Sequence, residues 1–234
     1  MSLFFRLKQA FIISLIKAVQ KFGKRRMTLL GKTYEVSEGV FNPKYFFTSI
    51  YMAGHTIIQS GDRVLDMGTG SGIQAINAAA RASHVTAIDI NPEAAKYARI
   101  NVAANRLESK ITILHGDLFA PLTANMRFDV ILFNPPYLEG TPKNDFEHAL
   151  YDGGKEIMKR FFSQAAQYLL PGGNIQMLYS SLARHARALE IAEEHGWKHQ
   201  LITMEKTVTE SFMIYKLQKG ETSTDENRNN LRHP

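Results

Sequence analysis

The tetrapeptide Asn134-Pro135-Pro136-Tyr137 is the part of the sequence best suited to chemistry. It directly follows Phe128–Phe133, an apolar run with the character of a strand buried on both faces. Two prolines stiffen the loop and remove two backbone donors, which leaves carbonyl oxygens facing outward. The Asn134 side-chain oxygen and the Pro135 carbonyl then form a pair of acceptors. Such a pair can hold both N–H groups of a planar amide or aromatic amine. Holding both hydrogens aims the nitrogen at an electrophile and stabilises positive charge that develops on it. Tyr137 can stack on a flat substrate group. Taken alone, a Pro-Pro pair also marks an ordinary rigid turn.

A second cluster lies upstream. Val64-Leu65-Asp66-Met67-Gly68-Thr69-Gly70-Ser71-Gly72 ends a strand and opens a helix. Glycines there let the chain turn tightly and let a ligand approach the main chain. The spacing lacks the third glycine of a dinucleotide fingerprint, and no Gly-Lys-Ser/Thr ending of a phosphate loop is present. Asp66 would repel a phosphate but suits a ligand with an ammonium group. Asp89 ends the next strand, 23 residues on. A carboxylate at that place can accept both hydroxyls of a ribose. Asp117 follows the third strand in Gly116-Asp117-Leu118-Phe119; it can accept from the exocyclic amine of an adenine flanked by Leu118, or serve as a plain turn residue.

The elements that must carry these residues alternate. Strands are expected at Arg63–Asp66, Val85–Ile88, Ile111–Leu114, Phe128–Phe133 and Ile175–Tyr179. Helices are expected at Ile73–Ala82, from the Asn91 cap and Pro92 to about Asn105, at Glu156–Leu170 before Pro171-Gly172-Gly173, and at Ala183–Glu194. Trp197–Met204 and Ser211–Leu217 are two further strands with no helix between them. This alternation predicts an α/β fold: a doubly wound, Rossmann-like sheet of seven mostly parallel strands with an antiparallel edge. Every candidate residue then falls at the carboxyl edge of the sheet.

Composition bounds the rest. The chain has 234 residues, no cysteine, and a formal net charge of +6. Without cysteine there is no disulfide framework, zinc–thiolate site or thiol nucleophile, and a reducing cytoplasm is the expected compartment. No metal-ligand spacing is present, so no metal is expected. Eight of the 28 basic residues precede Glu35 and no acidic residue does, so the remainder carries a net charge of −2. Residues 1–35 read as a basic amphipathic helical arm, 36–217 as the α/β domain and 218–234 as a disordered polar tail. Arg6, Lys8 and Lys17 interrupt the arm's apolar run well short of the about 18 residues a membrane span needs. The arm is expected to dock on the domain, on a partner, on a second copy or on a membrane surface.

VLDMGTGSG, AIDINPEA, GDLF and NPPY, in that order, make the chain resemble the class I S-adenosylmethionine-dependent methyltransferases in the branch with the NPPY loop. The resemblance covers about Gly39 to Leu217. It implies that Asp66 and the loop residues Gly68, Thr69, Gly70 and Gly72 hold the methionine end of the cofactor. Asp89 with Ile90 would hold the ribose, and Asp117 with Leu118 the adenine. Asn134 would reach both the cofactor and the target nitrogen, assisted by Pro135, with Tyr137 and Pro136 against the substrate. The products would be S-adenosylhomocysteine and a methylated acceptor.

The acceptor is drawn from several likenesses. ALYDGGKE (Ala149–Glu156) is similar to the segment after the loop in the release-factor glutamine methyltransferase family, and EIMKRFF (Glu156–Phe162) to its eukaryotic and archaeal relatives. GVFNPK (Gly39–Lys44) instead resembles ribosomal-RNA guanine methyltransferases, and departs from the Pro-rich, Glu-containing stretch of the bacterial glutamine enzymes. Their N-terminal helical substrate domain is also longer than this arm. The resemblance therefore implies a protein glutamine amide as acceptor, with the exocyclic amine of a nucleic-acid base, or a small molecule methylated on N or O, as alternatives. In each case Phe41 and Asn42 are expected at the mouth of the active site.

Overall fold

The computed structural model of the protein describes residues 14, 18–136, 138, 140–181, 185–208 and 210–220. The end of the arm, residues 18–22, is helical. A β-hairpin then follows, with β1 (Arg26–Leu29) and β2 (Lys32–Glu35) paired antiparallel. The expectation of a helical arm to residue 35 therefore fails over its last ten residues. The reason is local: Leu30 and Gly31 both take positive φ, 50° and 73°, which is the two-residue turn that matches strand twist. Met27 and Tyr34 are cross-strand partners that both bury their side chains. The first 13 residues of the arm and residues 15–17 lie outside the described residues, as does the tail from 221 onward.

Helix α1 (Phe47–His55) precedes the first sheet strand. The core then runs β3 (Arg63–Met67), α2 (Ile73–Ala78), β4 (His84–Asp89), α3 (Pro92–Ala104), β5 (Ile111–His115), β6 (Phe128–Phe133), α4 (Glu156–Ala165), β7 (Leu169–Ser180), α5 (His185–Glu194), β8 (Trp197–Lys206) and β9 (Ser211–Lys219). The sheet order is β5-β4-β3-β6-β7-β9-β8, parallel through β7 and antiparallel at β9 and β8. This is the expected doubly wound sheet, with its topological switch between β3 and β6. Successive residues of β6 feed opposite cores: Val130 and Leu132 pack with α2, α3 and the hairpin, whereas Ile131 and Phe133 pack with α4 and α5.

Several element boundaries differ from expectation. Helix α2 stops at Ala78 and the chain turns back through 79–82. Helix α4 ends at Ala165, and Pro171-Gly172-Gly173 lies inside β7 rather than ending a helix. There the register against β6 jumps from Phe128↔Leu169 to Val130↔Asn174, so the Pro-Gly-Gly run is taken up as a bulge. Strand β9 continues to Lys219, two residues into the stretch expected to be disordered. Helix α3 starts as expected, with the Asn91 side chain accepting from the backbone of Glu93 and Ala94.

The hairpin is fastened by side-chain amides. Asn101 and Asn105, one turn apart on α3, face the free edge of β2. Asn101 accepts from Glu35 N at 2.7 Å and donates to Glu35 O at 2.9 Å. Asn105 does the same for Thr33, at 3.1 and 2.7 Å. Asn101 also donates to Ser71 O at 2.8 Å, which joins the hairpin to the glycine loop. Among the described residues no helix is long and apolar enough to cross a membrane.

Replacing both amides (Asn101→Leu with Asn105→Leu) is expected to destabilise the protein by about 2–4 kcal/mol, because four part-buried backbone groups of the hairpin and the buried Ser71 carbonyl lose their partners. Urea denaturation measures the loss, and hydrogen exchange should show the Thr33 and Glu35 amides released first. Unchanged protection of those two amides would refute the fastening role.

Candidate active site

A cavity of about 370 Å³ opens at the carboxyl edge, over the switch between β3 and β6. The register Met67↔Phe133 sets Gly68 beside Asn134, and the register Met67↔Ile88 sets it beside Asp89. The loops after β3, β4, β5 and β6 thus converge on one space. Gly68, Gly70 and Gly72 all take positive φ (70°, 56° and 83°), a path that other residues adopt only with strain. A Cβ at Gly70 would meet open space, so its backbone faces the cavity bare.

Asp66 does not stand on the cavity wall. It lies beneath the glycine loop with 1% of its surface exposed. Its Oδ2 accepts from Thr69 Oγ1 at 2.6 Å and from Ala75 N at 3.1 Å, which pins the loop to the start of α2. The expected direct contact between Asp66 and a ligand is therefore replaced by support from behind. Thr69 lines the cavity, but its hydroxyl is given to Asp66. Burial pushes the Asp66 carboxyl up to about 7, against the pull of the Thr69 and Ala75 hydrogen bonds, and the charge of Asp89 adds to the rise.

Asp89 does face the cavity. One carboxylate oxygen accepts from Gly70 N at 2.7 Å and the other from Asn91 N at 2.9 Å. Each keeps a lone pair for a ligand. Burial raises its pKa, while these hydrogen bonds and His115 counteract the rise. Ile90 is exposed beside it, and Leu118 takes a positive φ of 46° to reach the cavity wall with Ile88 and Phe133. Asp117 lines the same end but pairs with Arg160, which donates to its Oδ2 at 2.5 Å. A ligand amine at Asp117 would share it with that guanidinium.

Asn134, Pro135 and Pro136 all line the cavity. Asn134 Oδ1 is buried and has no hydrogen-bond partner among the described residues. Tyr137 lies outside them. Phe41 also lines the space, stacked on Phe46 with ring centroids 4.0 Å apart and near Phe146 at 6.3 Å. Asn42 does not line it. Its amide donates to Lys24 O at 2.9 Å and accepts from Lys44 N at 3.1 Å, so it ties the end of the arm to the turn that carries Phe41. The expectation for Asn42 is corrected on that ground.

Several wall residues went unnoticed in the sequence. Thr48 and Ser49 come from α1, Gln74 from α2, and His148, Glu156 and Arg160 from the segment after β6. Gln74 had a visible signal, as an amide on the buried face of an Ala-rich helix. The others belong to no spacing pattern.

The geometry fits a nucleoside carrying an amino-acid tail. Asp89 offers acceptors to a diol, apolar side chains offer a slot for a flat base, and the bare glycine loop and an unpartnered amide lie beyond. A doubly wound sheet with such a site at its switch point is the architecture of nucleotide-cofactor domains. The family model described as "Methyltransferase small domain" matches residues 39–207, and the chain belongs to that family. It is an S-adenosylmethionine-dependent methyltransferase. A relative from Methanocaldococcus jannaschii described as "Putative protein N5-glutamine methyltransferase" is 34% identical over 173 residues, which cover 71% of this chain and 86% of the relative. A ribosomal protein uL3 glutamine methyltransferase of Bradyrhizobium diazoefficiens is 38% identical over 49% of this chain and 39% of its own length. A release factor glutamine methyltransferase of Rhodopirellula baltica is 36% identical over 57% of this chain and 49% of its own length. The chain thus spans about half or less of these two bacterial relatives. The 16S rRNA N2 G1207 methyltransferase of T. thermophilus shares the fold, with a TM-score of 0.65 at 23% identity over 83% of this chain and 50% of that one.

The raised Asp66 carboxyl sets a pH dependence. Between about pH 4 and 7 the folded, ligand-free protein holds a proton that the unfolded chain has released, so stability falls as pH rises through that window. Asp66→Asn should flatten this slope, because the group that holds the extra proton is gone. Urea denaturation at about pH 4.5 and about pH 8 compares them, and equal slopes would sink the assignment.

Proposed function

We propose that the protein transfers the methyl group of S-adenosylmethionine to the side-chain amide nitrogen of a glutamine in an acceptor protein. The observation that carries this reading is the buried Asn134 Oδ1, left without a partner on the cavity wall next to the glycine loop. It is an acceptor waiting for an N–H. The names of the relatives, which are protein glutamine methyltransferases, support the amide as its donor.

When bound, S-adenosylmethionine supplies an electrophilic methyl group on a sulfonium sulfur. The protein's own residues then have three tasks. The glycine loop, propped by Asp66, holds the methionine end, and Asp89 holds the ribose. Ile90 and Leu118 enclose the base, with Asp117 at its amine. Asn134 Oδ1 and the Pro135 carbonyl accept the two hydrogens of the substrate amide, so that its nitrogen faces the methyl carbon. The bound cofactor would supply the methyl carbon to the amide nitrogen, its sulfur would keep the S–C electron pair, and the proton lost from the amide would pass to water. An amide nitrogen is a weak nucleophile because its electron pair is delocalised, so alignment and relief of positive charge on the nitrogen dominate the rate. Phe41 and Pro136 line the mouth that receives the acceptor, and the resemblance assigns Tyr137, outside the described residues, to stack on it.

The end of the arm is joined to that mouth. Lys24 N donates to Tyr45 Oη at 2.9 Å, and Asn42 ties to Lys24. The basic stretch before Glu35 accordingly reads as a docking element for the acceptor protein, and translation proteins of the cytoplasm are the acceptor class.

Asn134→Ala should lower methyl transfer by about 10²–10³-fold while S-adenosylhomocysteine still binds. Labelled-methyl transfer into a cell extract, followed by protease or nuclease treatment, tests the acceptor. Label removed by protease and recovered as N5-methylglutamine is expected. Label removed by nuclease would replace the glutamine reading with a nucleic-acid one.

A further inference from the structure

Two cavity-lining side chains among the described residues hold a buried polar atom with no hydrogen-bond partner: Asn134 through Oδ1 and Gln74 through Oε1. The substrate amide accounts for the first. Nothing in the proposed chemistry yet uses the second.

Gln74 is the second residue of α2 and only 4% exposed. Its Nε2 donates to the Ser49 carbonyl of α1 at 2.9 Å. A carbonyl can only accept, so the amide cannot turn over; Nε2 stays on α1 and Oε1 stays an acceptor. A buried acceptor without a donor costs about 1–3 kcal/mol, and a ligand donor at this place removes that penalty.

The surroundings select the charge of the donor. Ala75, the next residue, gives its N–H to Asp66, so a buried carboxyl lies immediately behind Gln74. Asp89 acts on that carboxyl through its own charge. The polar residues that α1 and the glycine loop bring to the cavity wall beside Gln74 carry hydroxyls, Thr48, Ser49, Ser71 and Thr69, the last given to Asp66. The two basic lining residues, His148 and Arg160, both come from the segment after β6, and Arg160 is engaged by Asp117. This end of the cavity therefore offers acceptors beside the carboxyl groups of Asp66 and Asp89, with no fixed cation, and an ammonium bound there favours the ionised form of both. A cationic donor fits it better than a neutral one. Because Asp66 lies under the loop, the carboxyl cannot itself be the wall contact.

We propose that Gln74 Oε1 is the direct acceptor for the ammonium group of the cofactor's amino-acid end, which makes Gln74 a specificity residue for ligands that carry a free ammonium. Asp66 supports this contact from behind the loop. The inference rests on reading the cavity as the S-adenosylmethionine site and adds which residue tells that cofactor from a bare nucleoside.

Binding, rather than turnover, tests it. Calorimetric titration compares three ligands on the full chain: S-adenosylhomocysteine, its decarboxylated aminopropyl analogue, and 5′-methylthioadenosine, which has no amino-acid group. Gln74→Leu and Gln74→Met remove the acceptor; Gln74→Glu keeps one. The Leu and Met variants should bind the two ammonium ligands about tenfold more weakly or worse and methylthioadenosine unchanged. The Glu variant should retain the ammonium ligands. An equal loss for all three ligands would show that Gln74 only braces α1, and no loss for any would show that it is not in contact; either overturns the proposal. If the wild-type protein binds none of the three, the methyltransferase reading itself falls and this proposal with it.

Discussion

The site depends on the register of three parallel strands. β3 sits between β4 and β6, and a shift of one residue on either side would turn each side chain to the wrong face. With Met67 opposite both Ile88 and Phe133, the next residues along are Gly68, Asp89 and Asn134. A flexible turn, a carboxylate and an amide are thereby brought to one edge from positions far apart in sequence. Gly68 N and Thr69 N both donate to Ile88 O at 2.9 Å, so the glycine loop is held to β4 by main chain before any side chain is considered. The alternation of β6 residues between two cores is what fixes this register, since each face has its own partners to satisfy.

The carboxylates show how burial divides similar groups between tasks. Asp66 and Asp89 end adjacent strands, and burial raises both. Asp66 is closed under the loop and spends its hydrogen bonds on Thr69 and Ala75, so it shapes the chain. Asp89 is closed on two sides by backbone amides but open to the cavity, so it can serve a ligand. Asp117 is half exposed and paired with the Arg160 guanidinium, so a ligand there would have to share it.

Much of this was legible in the sequence, and the limits follow from physics. Apolar runs such as Phe128–Phe133, the Asn91-Pro92 start and the glycine loop are local signals, and the structure keeps them. The hairpin was missed because its turn rests on Leu30 in a left-handed conformation, which sequence disfavours. The sequence places Asp66 at the end of a strand and Asn42 on the turn with Phe41, but which way each carboxyl or amide is turned depends on neighbours such as Ala75 and Lys24, up to 18 residues away. Gln74 carried no motif, although a polar amide among buried alanines is itself a mark that something must satisfy it. The Pro171-Gly172-Gly173 run looked like a helix stop and became a bulge, because the strand pairing with β6 resumes on its far side.

The amide fastening of the hairpin has a consequence for the order in which the chain is built. Thr33 meets its partner Asn105 across 72 residues, and Glu35 meets Asn101 across 66. A two-stranded hairpin alone is at best marginally stable in water. During synthesis these residues leave the ribosome early, yet their hydrogen bonds cannot close until α3 has emerged as well. The hairpin, made before α3, must wait for it, and the glycine loop, linked to both through Ser71, gains its brace only when they meet.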